Sequence, residues 1–117
     1  LQNREPPAFQ EYASAIMSKI EYRAMTLAER GLLYTLRLEL WVNGKLPSDP
    51  TRLAKVLGFA DEEVRQALPA VMPFLTEFDG FVICPELESY RIHLENARKR
   101  MSAGGRRSAE KRASKSA

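Results

Sequence analysis

The stretch TLAERGLLYTLRLELWV, Thr26 to Val42, decides how the rest of the chain is read. Thr26 followed three residues later by Glu29 is a capping-box pair, which predicts a helix starting there. At the helical repeat, its side chains fall into two apolar arcs. One carries Leu27, Tyr34, Leu38 and Trp41, with Gly31 among them; the opposite one carries Leu32, Leu33, Leu36 and Leu40. Arg30 and Arg37 on one side and Glu39 on the other form narrow polar seams. A surface helix shows one apolar stripe, so a helix apolar on two sides is expected to be covered on two sides. Glycine is costly inside a helix, and Gly31 therefore predicts the close approach of another backbone.

Working outward toward the N-terminus, Phe9, Tyr12, Ala13, Ile16 and Ile20 follow a 3-4-3-4 spacing. This predicts a short amphipathic helix, opened near Pro7 and laid over one arc of the central helix. Toward the C-terminus, Asn43-Gly44 ends the central helix with a left-handed cap. Ser48 or Asp49 then caps a short helix whose Leu53, Ala54 and Leu57 face inward and which Gly58 ends. Asp61 is expected to cap a further helix, DEEVRQALPAVMPFL, with Val64, Leu68, Val71, Met72 and Leu75 buried. Pro69 and Pro73 fall on its opposite face, where carbonyls freed by a kink can meet water. Asp79-Gly80 between two short apolar runs marks a two-stranded hairpin. Pro85 opens a last helix on which Leu87, Tyr90, Leu94, Ala97 and Met101 recur at helical spacing. Packing back on the body is expected for that stripe; a homodimer seam through Leu87, Tyr90, Leu94 and Met101 is the alternative.

At 117 residues the chain amounts to one domain with appendages. It has no apolar run long enough for a membrane span and no signal-peptide pattern. It opens at Leu1 instead of methionine, and a few preceding residues are expected. The single cysteine, Cys84, permits no intramolecular disulfide and suits a reducing, cytoplasmic setting. The overall charge of +3 hides an asymmetry. Residues 91–117 hold nine Lys and Arg against Glu95 and Glu110, a net +7, whereas residues 1–90 hold nine basic and thirteen acidic groups, a net −4. An acidic body with a basic tail behaves differently from a uniformly basic domain. The organisation read from this is a folded unit over residues 1–97 and a basic, flexible tail over 98–117.

The order helix, turn, short helix, longer helix, hairpin is that of a winged helix-turn-helix, a mainly α, α+β fold. Glu29-Arg30-Gly31 before a leucine run and Trp41, then Gly44-Lys45-Leu46-Pro47, Leu53-Ala54, Leu57-Gly58 and Asp79-Gly80, sharpen the match. With the closing Arg100-Met101-Ser102-Ala103-Gly104-Gly105-Arg106-Arg107-Ser108, they resemble a family of small phage and prophage proteins encoded among replication genes, replisome-organiser-like in character. The resemblance covers roughly residues 12–112. It implies a winged-helix fold and a role in phage or mobile-element DNA replication or its control.

In a DNA-reading helix-turn-helix, the second helix of the motif enters the major groove with its first residues at the bases. Here that helix opens Asp61-Glu62-Glu63. Acids there favour the helix dipole but would face phosphates of like sign. Glu62 and Glu63 are accordingly read as candidates for a protein partner, a replication or regulatory protein. Arg52, Lys55 and Arg65 can touch backbone phosphates, although a solvated face explains each one alone. The hairpin tip, Glu77-Phe78-Asp79-Gly80-Phe81, is acidic too; its phenylalanines are expected to face the core, with a wedge of Phe78 or Phe81 into a minor groove as the alternative. The strongest nucleic-acid candidates are Arg98, Lys99, Arg100, Arg106, Arg107, Lys111 and Arg112, which can neutralise phosphates without reading sequence. Their plainer role is a solubilising flexible tail, or one that binds an acidic protein. His93 is the only histidine and Cys84 the only thiol, with no metal-ligand spacing and no phosphate-binding glycine loop, so neither an enzyme nor a cofactor is expected.

Overall fold

The structure is a computed structural model and describes residues 7–116, with side chains up to residue 102. Its centre is α3, Leu27–Asn43. The Thr26 hydroxyl accepts from the Glu29 amide at 3.2 Å, and the Glu29 carboxylate accepts from the Thr26 amide at 2.8 Å, which closes the capping box. Gly44, at φ 82°, ends the helix and donates to the Leu40 carbonyl. Leu33 and Leu36 are fully buried and Leu40 nearly so. They pack with Leu53 and Ala54 of α4 (Pro50–Leu57) and with Val64, Leu68 and Val71 of α5 (Asp61–Val71).

Local signals set most boundaries. Asp49 caps α4 by accepting from the Arg52 amide at 3.0 Å, Pro50 takes the first helical position, and Gly58 ends the helix in the left-handed conformation. Asp61 does not cap α5. Ala60 holds the cap position and has no side-chain acceptor; Asp61 is the first helical residue, and its carboxylate accepts from Arg65 one turn along. The helix stops at Val71 instead of running to Leu75, and Pro73 sits in a 3-10 turn over Met72–Phe74. Pro69 is tolerated within α5 on its exposed side.

The expected hairpin is present, with β2 (Thr76–Phe78) and β3 (Phe81–Ile83) joined by Asp79 and Gly80, both at positive φ. A further strand extends this two-stranded hairpin. β1, Leu46–Pro47, pairs antiparallel with β3, placing Leu46 opposite Val82 and giving the order β1-β3-β2. The protein is thus mainly helical with a small three-stranded antiparallel sheet. Leu46 and Val82 fill the sheet's inner face. Phe78 is not core-facing: it is 74% exposed. Phe81 lies beneath the Lys45 ammonium, 4.1 Å from its ring centre.

The N-terminal amphipathic helix is broken into α1 (Ala13–Met17) and α2 (Ile20–Arg23). Ile16 is buried, but Tyr12 and Ile20 point outward. Arg30 explains the change. Its guanidinium lies 4.4 Å from the Tyr22 ring and donates to the Arg23 carbonyl at 3.2 Å, while Tyr22 packs edge-on to Tyr34. These contacts hold α2 against α3 without Ile20.

The last helix, α6, runs from Pro85 to Ser116. Its backbone stays helical through the segment that the sequence predicts to be a flexible tail, and Ala, Arg, Lys and Glu there are good helix formers. No helix among the described residues is long and apolar enough to cross a membrane.

The arc of α3 that carries Leu27, Tyr34, Leu38 and Trp41 is only partly covered. Trp41 is buried, whereas Leu27 is 88% and Leu38 60% exposed. Nor does any backbone among the described residues approach Gly31, since a Cβ built there meets nothing within 4 Å. Gly31→Ala should therefore raise stability by about 0.5–1 kcal/mol through helix propensity alone. Urea unfolding checks this; a lower midpoint would mean that the position is crowded after all.

Candidate nucleic-acid interface

α6 is held to α3 through Trp41 and Arg37. Tyr90 packs on the Trp41 ring at 6.0 Å, and the Arg91 guanidinium lies 4.2 Å from it and donates to the Trp41 carbonyl. Four residues earlier on α3, Arg37 reaches Glu86. The pairs 37 with 86 and 41 with 90 mean that α6 runs in the direction of α3 and overshoots its end at Asn43. Leu87 is buried and Leu94 packs partly on the core, so the stripe expected to cover the body does so within one chain. Of the alternative homodimer seam, Met101 remains 77% exposed.

The Arg37 side chain, placed in a polar seam by the sequence reading, is 1% exposed. Its Nε donates to Glu11 Oε2 at 2.9 Å, and its Nη2 sits 2.9 Å from the same oxygen, a charge contact without the direction of a hydrogen bond. Its Nη1 donates to Glu86 at 3.4 Å and lies 4.0 Å from the Cys84 sulfur. Phe9 and Tyr34 flank the guanidinium. Burial opposes its charge, yet Glu11 and Glu86 together outweigh that and hold its pKa above the ordinary value. Burial pushes the Cys84 thiol up, which leaves it protonated and a poor nucleophile. Arg37 therefore joins the N-terminal segment, the end of β3 and the start of α6, and so fixes where α6 points.

Along the overshooting part of α6, residues 98–102 are all exposed, which presents Arg98, Lys99 and Arg100 to solvent. Arg106, Arg107, Lys111 and Arg112 lie outside the described side chains. Arg52 and Lys55 share an exposed face of α4. Arg65 is committed elsewhere: its Nε donates to Asp61 at 2.7 Å, and its guanidinium also donates to the Thr51 hydroxyl. Hydrogen bonding to the Asp61 carboxylate, from Arg65 first and Thr51 second, holds it below its usual range. The cations named from sequence are thus divided between α4, α5 and α6. The longest dimension of the molecule, 70 Å against 30 and 25 Å, reflects α6 standing off the body.

The acids stand where the sequence puts them. Asp61, Glu62 and Glu63 occupy the exposed first turn of α5. Glu62 accepts from Gln66 at 3.1 Å. Glu63 lines a groove of about 570 Å³ between α3 and α5. Ala28, Gly31, Leu32, Phe59, Val64 and Ala67 supply its apolar wall, with Glu29 also at its edge. Sequence reasoning missed this groove, although Gly31 in a leucine-rich helix was its visible trace. Among the described residues no cluster of three or more His, Cys, Asp or Glu could hold a metal ion.

The chain matches no protein-family model, no curated protein and no solved structure.

Proposed function

We propose that the chain is a winged-helix nucleic-acid-binding protein of phage or mobile-element origin, acting in DNA replication or its control. In this reading the basic end of α6 supplies most of the affinity. The sequence of elements α3, β1, α4, α5, β2, β3, with β1 beside β3, supports the winged-helix assignment. The observation that carries the functional reading is the separation of charge. Exposed cations project on α6, while the first turn of α5, where a recognition helix would meet base edges, is acidic. Phosphate contacts of this kind position a protein without specifying sequence.

Glu62→Lys with Glu63→Lys tests it. If α5 stays away from the duplex, affinity at low salt should change by less than about twofold. If α5 lies in the groove, replacing two acids with two lysines should strengthen binding by tenfold or more, roughly the value of two added phosphate contacts.

A second reading, a protein-interaction adaptor whose body binds a replication or regulatory protein, is favoured by one observation. Glu63 borders an apolar groove that no described residue fills.

A further inference from the structure

We propose that the α3–α5 groove is the docking site for the Lys99–Ser102 turn of α6 from a second copy of this chain, so that copies associate body to tail. This deepens the second reading above by naming the occupant.

Three observations select it. The groove pairs an apolar wall at Gly31, Leu32, Val64 and Ala67 with carboxylates at Glu29 and Glu63. The α6 turn offers the complement: Met101, 77% exposed, directly after the exposed cations Lys99 and Arg100. An unbranched thioether side chain suits an irregular apolar groove, and long cations reach its rim. Geometry then decides between copies. α6 follows the direction of α3 and leaves the body past Asn43, whereas the groove lies at the opposite half of α3, beside Thr26, Ala28 and Gly31. A continuous helix held at Tyr90 and Arg91 cannot return to its own groove. The body of net −4 and the tail of net +7 therefore attract one another between molecules. A body-to-tail contact uses two different surfaces, so it produces rings or open chains instead of a closed two-fold dimer.

Because the same cations serve the proposed phosphate contacts, association is read on the nuclease-treated chain of residues 1–117 by sedimentation velocity. At about 50 mM salt the mean mass should rise with concentration past that of a dimer, and at about 1 M salt the chain should be monomeric. Glu62→Lys with Glu63→Lys should be monomeric at both salts, and so should Lys99→Glu with Arg100→Glu. Mixing these two variants should restore association, since each then offers a charge opposite to its partner's. Gly31→Leu should abolish association without lowering the melting temperature, because a Cβ there meets nothing within 4 Å and the rest of the side chain enters the groove. A wild-type chain that stays monomeric at low salt, or a mixture that fails to associate, overturns the proposal. A labelled amphipathic Lys/Leu peptide of unrelated sequence separates the two levels. If it binds wild type and not the Glu62→Lys, Glu63→Lys variant while the chain stays monomeric, the second-copy occupant is wrong and the groove reading stands. If it does not bind and the chain is monomeric, both fall.

Discussion

Replacing both Glu11 and Glu86 with alanine should destabilise the protein by about 3–5 kcal/mol, the usual cost of leaving a buried charge without its partners. Arg37→Met should cost far less, about 0–2 kcal/mol. The difference follows from where the two ends of the ion pairs lie. The guanidinium is 1% exposed, whereas the Glu11 and Glu86 side chains are 30% and 55% exposed. Removing the arginine lets the carboxylates turn to water and puts an apolar chain between Phe9 and Tyr34. Removing the carboxylates strands a cation that has no route to solvent. Glu11 also anchors the N-terminal segment, which otherwise rests on Ile16, on Phe9 against Trp41, and on the contacts of α2. Urea unfolding of the two variants measures the order. A larger loss for Arg37→Met would mean that the pair itself stabilises the fold, instead of being needed once the cation is buried.

The second large effect is on nucleic-acid affinity. If about six tail cations contact duplex phosphates, the log–log dependence of binding on salt should have a slope near −5. Between about 50 and 200 mM salt the intact chain should then lose about a thousandfold in affinity. Glutamine at Arg98, Lys99, Arg100, Arg106, Arg107, Lys111 and Arg112 should flatten that slope to about −1 or less. The substituted chain keeps Arg52 and Lys55 on α4, but the loss of seven charges takes the net charge from +3 to −4. Fluorescence anisotropy across a salt series gives both slopes. A steep slope that survives the substitutions would place the phosphate contacts on the body.

Much of the architecture was legible because its signals are local. The Thr26–Glu29 box, Gly44, Asp49-Pro50, Gly58, Asp79-Gly80 and Pro85 each act within a turn of their own position, and the helices and hairpin begin or end at them. What escaped depends on distant partners. β1 is two residues long and exists only because Leu46 and Pro47 meet β3 some thirty-five residues later. Arg37 reads as a seam residue until Glu11 and Glu86, 26 and 49 residues away, are seen to surround it. Leu27 and Leu38 match a buried arc by spacing, yet periodicity states which residues share a face and not whether anything covers it. The same limit applied to the candidate site. The cations of 98–102 could be placed by sequence, but their lift off the body comes from the α6–α3 register. The groove could not be read because Gly31 and Phe59 meet only in the fold.

The most direct test of the account is hydrogen exchange at low salt, on chain dilute enough to be monomeric, with and without a random-sequence duplex of about 20 base pairs. Residues 98–102 are exposed on the free chain, so exchange should be rapid there. The account predicts that the duplex slows exchange across residues 98–116 and leaves Asp61–Val71 unchanged. Protection confined to Asp61–Val71, with residues 98–116 unaffected, would contradict it and would make α5 a reading helix despite its acids.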